Sequence, residues 1–253
     1  MKPLILITND DGVTSRGLRH LAAVAQEYGE VVVMAPDHNA SGVSSSITFT
    51  RPLRVNLISQ EESISIYSCD GTPVDCVKIG IEHFCTRKPD LVLSGINYGS
   101  NASINTIYSG TIGAVLEACI KGCQAVGFSL LNHNPDADFD ACTPSIRHIL
   151  SYVLQHPIPD FTALNVNIPR LPANQIKGIR VCQQARATWK DILEKRIDPI
   201  RRPYWWLSLK LVCGNPPHDS DEHFLAEGYV TVVPIQPDFT ATQHLPSLKN
   251  IEI

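Results

Sequence analysis

Two adjacent carboxylates, Asp10 and Asp11, are the side chains of this sequence best placed to do chemistry. They follow an apolar run at residues 3–7 that predicts a short buried strand, and a helical spacing of apolar residues comes after them. In open α/β sheets, ligands bind beyond the carboxyl ends of the strands. Neighbouring acids repel each other unless a cation holds both, and Mg2+ or Ca2+ prefers oxygen ligands. The position favours a cation site, and the alternative is an Asx turn that uses both acids and Gly12 to cap the helix.

Two further loops at the ends of predicted strands are rich in oxygen-bearing side chains. Residues 36–42 read PDHNASG, and residues 94–101 read SGINYGSN, with Asn97 and Asn101 four positions apart. The carboxyl ends of parallel strands meet at one edge of the sheet, so we expect these loops to lie beside the acid pair. Asn, Gly and Ser also dominate ordinary turns. The length of the second loop and its many amide and hydroxyl groups favour a ligand-binding role.

A predicted helix start at residues 108–114 (YSGTIGA) combines hydroxyl groups with glycines. Such a helix start is typical of an anion site, although Ser and Thr also cap helices for structural reasons alone. No Lys or Arg occurs between residues 89 and 120, so backbone dipoles and a metal would have to neutralise a bound phosphate. That combination favours metal-assisted hydrolysis over a kinase-like site, which needs a lysine on the phosphates. The sequence contains neither GxxxxGK[ST] nor GxGxxG.

The composition is that of an ordinary globular protein. The chain has 253 residues, 43% of them hydrophobic, and a net charge of −4, which gives no reason to expect binding to nucleic acid or to an anionic membrane. We expect no signal peptide and no membrane span. The eight cysteines show no CxxC pair, so we expect eight free thiols and a cytoplasmic protein.

Strand-like and helix-like segments alternate through the first two thirds of the chain. The predicted strands lie at residues 4–7, 30–35, 90–94, 125–130 and 163–168, and the predicted helices at 14–28, 73–84, 111–121 and 146–155. This alternation predicts an α/β fold: a Rossmann-like three-layer sandwich whose sheet is mostly parallel.

Two regions interrupt the alternation. Short strands are expected at residues 45–50, 53–58 and 63–68, which predicts a small antiparallel insertion over about 44–68. From residue 171 the chain is rich in proline, with strands expected at 176–183, 204–212 and 229–235 and a short helix at 189–196. We therefore predict a catalytic core at 1–170 and a β-rich C-terminal extension at 171–253. The rings of Tyr204, Trp205 and Trp206 would either fill a second core or form a subunit interface.

Several segments resemble the SurE family of survival-protein nucleotidases. These segments occur in the same order along the chain and are long enough to be specific; they are ILITNDDG (5–12), APDHNASG (35–42), GTPVDCV (71–77), SGINYGSN (94–101), SGTIG (109–113), LNVNIP (164–169) and GYVTVVP (228–234). Residues from about 171 to 222 match no motif of the family.

The resemblance implies a phosphohydrolase that depends on a divalent metal and acts on nucleoside 5′-monophosphates, with 3′-nucleotides and short polyphosphate as further substrates. By position, the residues that match the family's metal ligands are Asp10, Asp11, Ser41 and Asn97, holding one Mg2+ or Mn2+. The residues that match its phosphate-binding segments are Asn101, Ser109, Gly110 and Thr111. The resemblance also implies a homodimer or homotetramer in which the C-terminal part reaches across to a partner. Tyr98 departs from the polar residue that is frequent in the family, and it could stack on a base or pack locally.

We expect hydrolysis in one step, in which a metal-activated water attacks the phosphate in line and one of the two aspartates helps to deprotonate it. Two alternatives come from other classes. A receiver-like signalling module would also carry an acidic pair, but it needs a third aspartate after the third parallel strand, where this chain has SGIN. A catalytically silent nucleotide sensor would use the same residues as the enzyme, so only a turnover assay separates the two.

Overall fold

A computed structural model describes residues 2–134 and 136–252. Its main feature is a nine-stranded sheet with the strand order β3-β4-β2-β1-β5-β6-β7-β11-β8. The strands of this sheet are β1 (Leu4–Thr8), β2 (Glu30–Pro36), β3 (Val55–Glu61), β4 (Ile64–Cys69), β5 (Leu91–Tyr98), β6 (Gln124–Leu130), β7 (Ala163–Ile168), β8 (Ile179–Val181) and β11 (Val230–Ile235). Two of its eight neighbouring pairs, β3–β4 and β7–β11, are antiparallel and six are parallel, so the sheet is mostly parallel, as predicted.

The helices cover both faces of the sheet, which confirms the three-layer α/β fold. They are α1 (Arg16–Ala25), α2 (Pro73–Ile79), α3 (Asn105–Tyr108), α4 (Gly110–Ile120), α5 (Thr143–Gln155), α6 (Asp221–Ala226) and α7 (Leu245–Leu248). Alternate residues of β1 point to opposite faces, so Ile5 and Ile7 pack with α1 and α5, whereas Leu4 and Leu6 pack with α2 and α4. None of the helices in the described parts of the chain is long and apolar enough to cross a membrane.

The region predicted as an insertion is only partly as expected. Residues 45–50 form no strand, and the other two strands form the hairpin β3–β4. This hairpin is not separate from the sheet, because β4 pairs in parallel with β2 and extends the edge. The predicted helix at 73–84 begins as α2 and continues as a π-helical turn over Gly80–Phe84.

The C-terminal extension contains the clearest error of prediction. Residues 189–196 were expected to be helical, but they lie in β9 (Thr188–Ile197), which pairs over its whole length with β10 (Pro203–Val212). The segment WKDILEKR contains good helix formers, and its local preference is overridden by ten cross-strand pairs. We call β9 and β10 together the ribbon.

The rest of the extension returns to the main sheet. Strand β11 lies between β7 and β8, and β8 is only three residues long, shorter than the strand expected at 176–183. The division of the chain at residue 170 stays a prediction. All eight cysteines are free thiols, as expected.

Candidate active site

The acid pair lies directly beyond the end of β1, where the sequence placed it. Asp10 is only 2% exposed, and the backbone N–H of Ala40 donates to its carbonyl oxygen at 2.7 Å, which ties the loop after β2 to the loop after β1. The Asn9 side chain bridges to the backbone of Gly12, donating at 3.1 Å and accepting at 3.2 Å. Gly12 has φ +98° and faces the His38 carbonyl, which favours glycine there. The turn is therefore built by Asn9 and Gly12 and not by the two aspartates.

The Asp10 carboxylate faces the start of α4. The Thr111 hydroxyl donates to Asp10 Oδ1 at 2.6 Å. A Cβ on Gly110 would lie 2.8 Å from the Asp10 Cβ, so glycine is what lets the helix start come this close to the acid. Burial raises the pKa of Asp10, and the hydrogen bond from Thr111 offsets part of that effect. The start of α4 is therefore in direct contact with the carboxylate of Asp10.

Asp11 is half-buried and has an incomplete set of partners. Its Oδ2 atom is inaccessible to solvent and has no hydrogen-bond partner among the described residues. Burial first, and then the charge of Asp10, raises the pKa of Asp11 to about 7, although the backbone N–H of Tyr98 lowers it. The pKa of both carboxyls is raised, and no Lys, Arg or His of the described residues forms an ion pair with either of them. A divalent cation would supply a counter-charge, so this donor set fits a hard metal ion.

Asn97 and Ser41 complete the oxygen donors near Asp10. Strand β5 changes register against β6 between Ser94 and Asn97, and this irregularity turns Asn97 toward the site. Gly95 in the same stretch has φ +126°, and a Cβ there would lie 2.3 Å from the Phe128 carbonyl oxygen. The Asn97 amide donates to the Gly99 carbonyl at 3.0 Å, which leaves its oxygen for a ligand. Ser41 is exposed.

The N-terminus of α4, the predicted phosphate-binding segment, lies beside Asp10. Ser109 caps this helix, and its hydroxyl oxygen accepts from the Ile112 N–H at 3.1 Å. Because that oxygen is the acceptor, the Ser109 O–H proton is available for another partner. The N-terminus of the eleven-residue helix α4 carries a partial positive charge, and the backbone N–H groups of Gly110 and Thr111 lower the pKa of the adjacent Asp10.

Asn101 is fixed by a buried network of amides that the sequence analysis missed. Its N–H donates to Asn167 Oδ1 at 2.8 Å, and its carbonyl accepts from Asn165 Nδ2 at 2.9 Å. Asn167 in turn donates to Asn165 Oδ1 at 2.9 Å, and the Asn101 amide donates to Ser129 Oγ at 2.8 Å. Two asparagines at alternate positions of a buried strand share one face, and this spacing was the signal that could have revealed them.

A second missed residue, Asp221, connects this loop to the C-terminal extension. Its side chain is fully buried and accepts from the N–H groups of Ser103 and Ala185, both at 2.8 Å, and from that of Glu222. The Ser103 hydroxyl also donates to the Ala185 carbonyl at 3.0 Å. The loop that carries Asn101 is therefore joined to the residues that lead into the ribbon.

One cavity of about 520 Å3 brings most of these groups together. Of the eight residues singled out in the sequence, five line it, namely Asp10, Ser41, Asn97, Asn101 and Ser109. The other three, Asp11, Gly110 and Thr111, lie beside Asp10 in the sequence or in the fold. Its lining contains no Lys or Arg among the described residues, as the sequence suggested. Tyr98 also borders the cavity, with its ring packed edge-on against Phe139 at 5.2 Å, which is local packing.

Comparison with known proteins gives the family. The profile described as "Survival protein SurE" matches residues 5–191. The chain belongs to the SurE family. Two relatives named 5′-nucleotidase SurE are similar over nearly their whole length. The protein of Flavobacterium psychrophilum is 47% identical over an alignment that covers 100% of this chain and 98% of the relative. The protein of Christiangramia forsetii is 48% identical over an alignment that covers 98% of this chain and 96% of the relative.

A solved SurE structure shows the same fold. The crystal structure of the SurE protein from Aquifex aeolicus matches 99% of this chain and 100% of its own, with a TM-score of 0.87 and 38% identity. The similarity therefore includes residues 171–222, in which the sequence analysis found no SurE motif.

Proposed function

We propose that this protein is a 5′-nucleotidase that removes phosphate from nucleoside 5′-monophosphates, with one Mg2+ or Mn2+ per subunit. The observation that carries the proposal is the adjacent pair of the buried Asp10 and the half-buried Asp11, which have no counter-charge among the described residues and lie beside the N-terminus of α4. The activity agrees with the names of relatives that are 47–48% identical over nearly the whole chain. By the family resemblance, 3′-nucleotides and short polyphosphate are further substrates.

The metal would be held by Asp10, Asp11, Ser41 and Asn97. When bound, the ion would polarise the phosphoryl group and lower the pKa of a water molecule, so that the nucleophile is available near neutral pH. Thr111 keeps one oxygen of Asp10 in place through its hydroxyl group. One of the two aspartates accepts the proton from the attacking water.

The phosphate would be bound by Asn101 and by the segment Ser109, Gly110 and Thr111. The Ser109 hydroxyl can donate to a phosphate oxygen, and the partial positive charge at the start of α4 can stabilise the charge that develops on the phosphate. Asn101 is held by three buried hydrogen bonds and by a partly buried one from Thr106, so it needs little reorganisation during the reaction.

We also propose that the protein is a cytoplasmic homodimer or homotetramer. The ribbon supports self-association, because Trp205, Trp206 and Leu207 are each more than half exposed. A patch of this kind is typical of a protein interface. Free thiols throughout the chain support a reducing compartment.

The test is phosphate release from a panel of 5′- and 3′-nucleoside monophosphates and tripolyphosphate, with Mg2+, Mn2+ or EDTA. We expect release from 5′-monophosphates that EDTA abolishes and that added metal restores. The ranking of the substrates would show whether the 5′ position is preferred. No release from folded protein with any metal would contradict the proposal and favour a silent nucleotide sensor.

A further inference from the structure

The cavity extends past the phosphate end to a wall that the ribbon supplies. On the side of the metal and phosphate groups it is lined by Asp10 and Ser109, and on the opposite side by Trp189, Leu209 and Leu211. A volume of about 520 Å3 falls in the range of sites for small organic ligands. It therefore leaves room for the organic part of a phosphate ester.

Trp189 differs from the other two tryptophans of the ribbon. Trp205 and Trp206 are 55% and 57% exposed, whereas Trp189, which pairs with Leu211 near the open end of the ribbon, is only partly exposed. The Trp189 Nε1 atom is inaccessible to solvent and has no hydrogen-bond partner among the described residues. Indole is a donor only, and leaving such a donor buried without an acceptor is unfavourable. Because the protein itself covers this atom, a ligand in the cavity contacts the ring of Trp189 and not its N–H.

We propose that Trp189 forms the nucleobase subsite of this enzyme. Its ring packs against the base in the cavity that Asp10 and Ser109 also line. This inference rests on the proposed nucleotidase function, since a phosphate held at α4 directs the rest of the ester toward the ribbon. Every nucleobase has a π face, so an aromatic wall tolerates several bases.

The fold holds this wall in a defined place relative to the phosphate. Asp221 binds the N–H groups of both Ser103, two residues after Asn101, and Ala185, four residues before Trp189. The distance between the phosphate end and the aromatic wall is therefore set by a buried carboxylate, although the ribbon itself is exposed.

The test compares AMP with ribose 5-phosphate, which carries the same phosphate ester without a base. We expect Trp189→Leu to raise KM for AMP about 10-fold, the size of one lost base–aromatic contact, with kcat changed less than about 2-fold and KM for ribose 5-phosphate unchanged. Trp189→Phe keeps a smaller ring, so its KM for AMP should lie between wild type and Trp189→Leu. The matched control is Trp205→Phe, which changes a ribbon tryptophan outside the cavity and should leave both substrates unaffected.

A binding measurement gives a readout that does not depend on turnover. In the double variant Trp205→Phe/Trp206→Phe, Trp189 is the one remaining tryptophan of the three. Its fluorescence should be quenched on titration with adenosine and should not respond to ribose.

The two failures are distinguishable. Absence of phosphate release by wild type from every nucleotide would contradict the nucleotidase, whereas the adenosine titration would still report on Trp189. Equal effects of Trp189→Leu on AMP and ribose 5-phosphate, no effect on either, or no quenching by adenosine would overturn the nucleobase subsite.

Discussion

The edge of the parallel sheet and the ribbon meet at one cavity but are built in opposite ways. At the sheet edge, Asn101 and Asn167 are at most 5% exposed and their amide groups are paired with other buried groups. In the ribbon, Leu193 and Leu207 are 63% and 59% exposed, and the two strands pair only with each other. The proposed catalytic groups therefore lie in the region whose polar side chains are held by buried hydrogen bonds, and not in the exposed ribbon.

The energetic consequences also differ between the two regions. Loss of one partner from a buried hydrogen-bond network lowers the unfolding free energy, because the remaining polar groups stay desolvated without a hydrogen bond. An isolated two-stranded ribbon contributes little stability of its own. Substitutions at the sheet edge should therefore affect folding and catalysis, and substitutions in the ribbon should affect binding and association.

The largest effect is expected for Asp10→Asn. The change removes a proposed metal ligand and leaves the volume nearly unchanged, so kcat/KM should fall on the order of 10³-fold or more. The Tm of the metal-free protein should not fall, because a buried carboxylate without a counter-charge is replaced by a neutral amide. Steady-state kinetics and thermal unfolding in EDTA check this. The exposed Asp160→Asn is the matched control, and full activity of Asp10→Asn would disprove its role.

Asn167→Leu should have the next largest effect. It deprives the Asn101 N–H and Asn165 Oδ1 of their partner and should cost about 2–4 kcal/mol of unfolding free energy. Asn101 is then held less firmly, and kcat should fall roughly 10- to 100-fold. Urea unfolding and kinetics measure both effects. The exposed strand residue Asn56, changed to Leu, should alter neither; loss of stability without loss of kcat would show that the network does not position Asn101.

The pH dependence of metal-free stability gives a smaller effect. Burial and Asp10 raise the pKa of Asp11 from 3.8 to about 7, so the folded state holds its proton more tightly than the unfolded state. The unfolding free energy should therefore fall as pH rises from about 4 to about 7, by an amount on the order of 2 kcal/mol. Asp11→Asn, or saturating Mg2+, should reduce this slope. Urea titrations in EDTA across this range test it, and an unchanged slope in Asp11→Asn would assign the effect to another group.

The smallest effect on stability is expected in the ribbon. Leu207→Ser changes a side chain that is 59% exposed, so the unfolding free energy should change by less than about 0.5 kcal/mol. If the ribbon joins subunits, Leu207→Glu should lower the molar mass measured by light scattering after size-exclusion chromatography. A large loss of stability in Leu207→Ser at a concentration where the protein is monomeric would contradict the comparison.

The sheet and the acid pair were predictable because short-range sequence patterns indicate them. Buried parallel strands show as continuous apolar runs, and Asp10 and Asp11 follow one of them directly. The ribbon was not predictable in the same way, because residues 189–196 form a strand only through their pairing with β10. With a helix expected at 189–196, no sequence pattern placed Trp189 beside Leu211 at the cavity. Asn165, Asn167 and Asp221 act through partners more than 30 residues away, which no local pattern shows.

The most direct test of the central claim is a titration of Mn2+ into the metal-free protein, followed by electron paramagnetic resonance. The account predicts one bound Mn2+ per subunit in the wild type, and at least a tenfold weaker binding in Asp10→Asn and Asp11→Asn, with Asp160→Asn unchanged. Wild-type affinity for Mn2+ in both site variants would contradict the assignment of the metal to the end of β1.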